Sequence, residues 1–185
     1  MKNKLAIFAA IAVLITGIAC SSDETEKANQ SVSEANKFVT DANSAATEAT
    51  GKGSEYDKKV AAIENDSDLE EVRDYGRDLI KIYSSMEENF KKAGDKFDEA
   101  SKFKVADQFR EYLQTKAQEM KKRSEYSAEL KKIPNALIES KSKGKYTDAV
   151  AELVPKIQKM TKEAQELGDK ADKLVKDNPT LIKKN

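Results

Sequence analysis

One thiol stands alone in this chain of 185 residues: Cys20, directly after a hydrophobic run and directly before Ser21-Ser22-Asp23-Glu24. A single cysteine makes no disulfide within the chain, and its place at the end of an apolar segment reads as a lipid anchor rather than a thiol nucleophile. Histidine is absent, which removes His-based triads, His-containing zinc sites and the Glu-x-x-His ligands of di-iron bundles. The 33 acidic residues generate carboxylate pairs of the kind a glycosidase uses, but chance alone produces such pairs on helix surfaces. Gly51-Lys52-Gly53 lacks both the spacing and the preceding strand of a phosphate-binding loop. The residue types therefore point away from an enzyme, with no metal site and no cofactor beyond a covalent lipid on Cys20.

The segment that positions the thiol is a leader. Lys2 and Lys4 form a short positive start, and Leu5 to Ile15 is an uncharged apolar stretch of signal-peptide length, too short to span a bilayer. Thr16-Gly17-Ile18-Ala19-Cys20 resembles the lipobox of bacterial lipoproteins: Ala19 and Cys20 match it, while Gly17 stands where that family usually carries an aliphatic residue. The resemblance implies cleavage after Ala19 and diacylglycerol on Cys20. It implies a location in the bacterial cell envelope, anchored to the membrane without crossing it. Ser21, where an aspartate would favour inner-membrane retention in enteric lipoproteins, implies the outer membrane.

Without residues 1–19 the chain loses Lys2 and Lys4, leaving 31 basic against 33 acidic residues. That balance, with export, disfavours nucleic acid as a partner. Charged residues make up 36% of the chain and Trp is absent, a composition of long helices. Residues 27–54 align as successive sevens, so that Ala28, Val32, Ala35, Val39, Ala42, Ala46 and Ala49 form a coiled-coil-like seam. Over residues 25–49 this resembles the alanine-seamed coils of the major outer-membrane lipoprotein type. The chain ends in Lys183-Lys184-Asn185 rather than in the terminal lysine such proteins attach to peptidoglycan, so wall linkage is not carried over.

Continuing the three-four rhythm predicts an all-α, elongated antiparallel four-helix bundle over 24–178, after a linker at 20–23 and before a tail at 179–185. The helices fall at about 24–65, 67–101, 106–141 and 146–177. Ser67 with Glu70 predicts a capping box opening the second. Gly51 and Gly53 predict a kink in the first. Glu87–Lys91, Glu88–Lys92, Asp98–Lys102, Glu119–Arg123, Glu166–Lys170 and Asp172–Lys176 predict surface ion pairs.

Folding these helices against each other puts Gly51, Gly53, Gly76, Pro134 and Pro155 at one height, about 15 to 22 Å from the end remote from Cys20. Tyr56, Gly76, Leu130, Pro134 and Pro155 form a possible binding band, with a matched bend in a packed bundle as the simpler reading. At the other end, Lys102-Phe103-Lys104 and Leu181-Ile182-Lys183-Lys184 would face the membrane. The expected role is non-enzymatic binding or bracing. The alternatives are an oligomeric stalk assembled through the Ala28–Ala49 stripe and a carrier of an apolar ligand in the distal band. The partners expected are the membrane, through the lipid, and either a second copy or another envelope protein.

Overall fold

A computed structural model describes residues 23–140 and 142–179. Those residues form α1 (Asp23–Ala61), α2 (Leu69–Ser101), α3 (Asp107–Leu130), α4 (Lys132–Glu139) and α5 (Lys143–Asp177), with one 3-10 turn at Asp66–Asp68 before α2. The described residues contain no strand, and none of their helices is long and apolar enough to cross a membrane.

The rods run antiparallel, and the ion pairs between them record the register. Going up α1, Glu34, Lys52 and Lys59 pair with Lys96, Asp78 and Glu71 going down α2. Glu111 and Lys122 on α3 pair with Lys170 and Glu163 on α5. Close backbone packing joins α1 to α2, α2 to α3 and α3 to α5, while α4 bridges α2 and α5. α1 and α5 share no such packing and meet through side chains. The bundle is therefore four rods in which the α1–α5 side is closed by side chains, with Ala171 of α5 buried in the same cluster as the α1 alanines.

The heptad seam of α1 lies inside. Ala28, Ala35 and Ala42 are fully buried and Ala49 nearly so, in one cluster with Met86, Phe90 and Phe97 of α2 and Leu113 and Met120 of α3. Small side chains let α1 sit close to α2, so the stripe expected as an oligomerisation seam is consumed within the chain.

Local punctuation differs from the sequence expectation at several points. α1 runs unbroken through Gly51 and Gly53 and ends at Ala61. Burial of Ala49 and Tyr56 on the flanking turns outweighs the cost of about 1 kcal/mol per helical glycine. α2 begins at Leu69 without a capping box: its N-cap is Asp68, whose carboxylate accepts from the backbone N–H groups of Glu64 and Asn65, both at 3.0 Å. The helix expected over 106–141 is divided at Lys131, because Pro134 offers no N–H to the carbonyl of Leu130 and α4 continues as a short separate piece. Ala106, where the third helix is expected to begin, is the exposed N-cap of α3. α5 starts earlier than expected, at Lys143, where Ser142 accepts from the backbone N–H of Lys145. It continues through Pro155, which sits on the exposed face beside exposed Ala151, so that water can serve the carbonyl the proline leaves unpaired.

At the end nearer residue 23, the α2–α3 turn is fixed by protein contacts. Lys102 pairs with Asp98, Phe103 packs on the core, and the Lys104 backbone N–H donates to the Glu24 carboxylate at 2.6 Å. The tail residues 181–184 expected beside it lie outside the described residues.

Candidate functional site

The expected distal band is brought together only in part. Gly76 on α2 faces Pro134 of α4 and Tyr56 of α1: a Cβ on Gly76 would stand 3.4 Å from Pro134 Cβ and 3.6 Å from Tyr56 Cε2. Tyr56, Pro134 and Gly76 are all buried. Leu130 is half-buried at the helix break and Pro155 is exposed on α5. The three central residues fill the interior at this height, which corrects the expectation of an apolar pocket there; the matched packing of a glycine against a proline accounts for the band. Cys20 and the cleavage position Ala19 lie outside the described residues.

Tyrosines also converge at this height. Tyr56 of α1 and Tyr146 of α5, both buried, meet in one apolar cluster, the Tyr56 hydroxyl donating to the Tyr146 hydroxyl at 3.4 Å. Tyr83 rises from α2 until its hydroxyl stands 3.9 Å from where a Cβ of Gly53 would be. Asp57 lies one turn beyond Gly53 on the same side of α1. Its carboxylate is close enough for its charge to act on the Tyr56, Tyr83 and Tyr146 phenols. Tyr126 of α3 stands at the same height, half-buried, close enough to act electrostatically on Tyr83. Burial raises the pKa of all four phenols, so they stay neutral. Asp57 remains exposed at its tip, yet loss of hydration around its carboxyl raises its pKa too. The interior at this height thus holds buried rings and neutral hydroxyls, with one exposed carboxylate at its edge. Of these residues the spacing singles out only Tyr56, in the possible binding band; Tyr83 and Tyr146 come beside it through helix packing, which no spacing along one helix reveals.

Two buried glutamates of α3 tie it to its neighbours. Glu119 of α3 is almost wholly buried; its Oε2 accepts from Lys116 at 2.6 Å and its Oε1 from Arg123 at 2.8 Å. Glu129, near the end of α3, accepts on Oε1 from Lys132 of α4 at 2.7 Å and from Lys156 of α5 at 2.8 Å, and so ties three helices at one atom. Hydrogen bonds from Lys132 and Lys156 hold the Glu129 carboxyl below the ordinary glutamate range. A carboxyl lowered on folding contributes stability above its unfolded pKa, and that contribution disappears as pH falls through the folded value. Urea unfolding from pH 7 downward is therefore expected to show an acid-side loss of stability that is smaller in Glu129→Gln. Parallel pH curves for the two proteins would remove Glu129 from that role. A shallow cavity of about 390 Å³ lies between α4 and α5, lined by Lys132, Asn135, Ala136, Glu139, Ala149, Glu152 and Leu153; it is open to solvent.

The described residues hold no group of three or more His, Cys, Asp or Glu side chains placed to bind a metal. No protein-family model, no curated protein and no solved structure matches the chain.

Proposed function

We propose that this chain is a lipid-anchored protein of the bacterial cell envelope, most consistent with the outer membrane, that works by non-enzymatic binding or bracing. One observation carries the reading. α1 starts at Asp23, three residues beyond Cys20, and carries Asp57 and Tyr56 at its other end, about 50 Å away at 1.5 Å per residue. An anchor position at one end and a self-contained helical bundle carried well away from it is the layout of a tethered envelope protein. The stalk alternative loses its basis, since the alanine stripe is buried against α2.

The test is made in bacterial cells expressing the full chain. Growth with an alkyne-tagged palmitate is expected to label the wild-type protein and place it in the membrane fraction. Cys20→Ser is expected to abolish the label and retain an unprocessed leader. An unlabelled wild-type protein recovered in the soluble envelope fraction would overturn the anchor.

A further inference from the structure

We propose that two copies of this chain pair side by side and parallel through the outer face of α1 and α5, the α1 of each copy lying along the α5 of the other. This names a partner for the binding or bracing role proposed above and rests on that reading only for its membrane setting.

The first support is a strip of surface without charge. On the edge of α1 turned away from Lys52 and Lys59, which pair with α2, steps of four and three bring Asn36, Thr40, Asn43, Thr47, Thr50 and Ser54 into one row, each exposed or half-buried. On the edge of α5 turned away from Glu163 and Lys170, which pair with α3, the same steps align Thr147, Ala151, Val154, Gln158 and Thr161, all exposed. Charged residues make up 36% of the chain, yet neither row contains one. Val154, the one large hydrophobic residue exposed among the described residues, at 38%, stands mid-row. The two rows share one height. From the contact of Tyr56 with Tyr146, counting in opposite directions along the two helices sets Thr47 level with Pro155 and Ser54 with Asp148. Charges are costly to strip of water and are depleted at the centre of protein interfaces, so an uncharged strip is what such a centre requires.

The second support is the charge at the two ends of the strip, which is self-complementary. Nearer residue 23, α1 carries Lys37 and Asp41 while α5 carries Lys162 and Glu166; at the far end α1 carries Asp57 and Lys58 while α5 carries Lys145 and Asp148, all exposed. A two-fold axis along the bundle sets each α1 residue opposite the α5 residue of the second copy at its own height. In that register Lys37 meets Glu166, Asp41 meets Lys162, Asp57 meets Lys145 and Lys58 meets Asp148, each within about 6 Å along the axis. Every one of these matches joins opposite signs. Turning one copy end over end would instead lay α1 on α1 and bring Lys37 opposite Lys58. An isologous pair makes each match twice, which commits the face to a second copy. Both α1 helices then begin at the same end, as two copies held in one membrane require.

The full chain is purified in detergent of matched density, and its mass is measured by sedimentation equilibrium from low micromolar concentration to about 1 mM. A polar strip with one apolar residue makes a weak pair, so the mass is expected to rise from one copy toward two across that range. Val154→Glu and Thr47→Glu, which put a charge at the centre, are expected to raise the dissociation constant about tenfold or more. Lys58→Glu is expected to raise it about threefold, and adding Asp148→Lys to the same chain to restore it, because the symmetry sets the two reversed charges against each other. Circular dichroism at low micromolar concentration, where the pair is dissociated, checks that every variant is folded. A mass of one copy at every concentration overturns the inference. So does association that folded Val154→Glu and Thr47→Glu leave unchanged, or that Asp148→Lys fails to restore in Lys58→Glu. Palmitate labelling is read independently, so a labelled protein that never pairs sinks this inference and leaves the anchor standing.

Discussion

Glutamate in place of Ala42 is expected to unfold the bundle. Ala42 is 0% exposed and belongs to a single cluster with the Met86, Phe90 and Phe97 side chains of α2. A longer side chain there forces α1 off α2, and overpacking of that kind costs about 1 to 3 kcal/mol. The buried, unpaired carboxylate adds several kcal/mol more. Against a total stability of roughly 5 to 15 kcal/mol, the sum removes most or all of it. Circular dichroism through a urea titration at pH 7 should show Ala42→Glu with no native baseline, while Thr47→Glu, on the exposed face of the same helix, unfolds with the wild-type protein. The same pair of variants separates a self-contained bundle from a stalk. An assembly joined through the stripe would give an Ala42→Glu chain that is smaller by light scattering but equally helical and equally cooperative, and that result would contradict the buried seam.

Removing the Glu119 carboxylate is expected to be the second largest effect. Its Oε1 would lie 3.3 Å from a Cβ on Gly168, so α3 and α5 meet over this side chain with no space for a larger residue on α5. The two cations it holds are themselves pressed toward α2: Lys116 lies 6.0 Å from the Phe97 ring centroid and Arg123 5.8 Å from that of Phe90. Glu119→Ala leaves both without their counter-charge and opens a void against Gly168. Breaking one side of a buried ion pair costs about 3 to 5 kcal/mol; because Lys116 and Arg123 keep some exposure, at 21% and 15%, about 2 to 4 kcal/mol is expected. A urea midpoint within error of wild type would show that the cluster contributes nothing net.

These two sites differ in how far they could be anticipated. The alanine seam follows from heptad spacing, because a period of three and four residues allows only one apolar face to be buried continuously. Glu119 followed the opposite course: its i,i+4 relation to Arg123 marks a surface pair, and the pair does form. It is buried because α3 contacts α2 and α5 at once, and a residue between two docking faces is not identified by the periodicity of either. Of the other expected surface pairs, Glu88–Lys92 and Asp98–Lys102 form within α2. Glu87 turns instead to Lys131 at the break between α3 and α4, and Lys170 to Glu111 on α3. Helix spacing defines which charges are neighbours in one rod, whereas the nearest opposite charge across an interface depends on how the rods are rotated.

By itself the sequence determined the helical class, the antiparallel order and the buried stripe of α1, since these depend on local propensity, short connectors and apolar period. It also carried the expectation of an anchor at Cys20. Only the tertiary structure decided that α1 and α5 meet through side chains rather than close backbone packing, that Tyr56, Gly76 and Pro134 fill the distal interior, and that the Tyr56 and Tyr146 hydroxyls meet inside it. Those outcomes rest on contacts between helices far apart in sequence, where the rotation and approach of each rod come from the volumes packed between them rather than from any spacing along one chain.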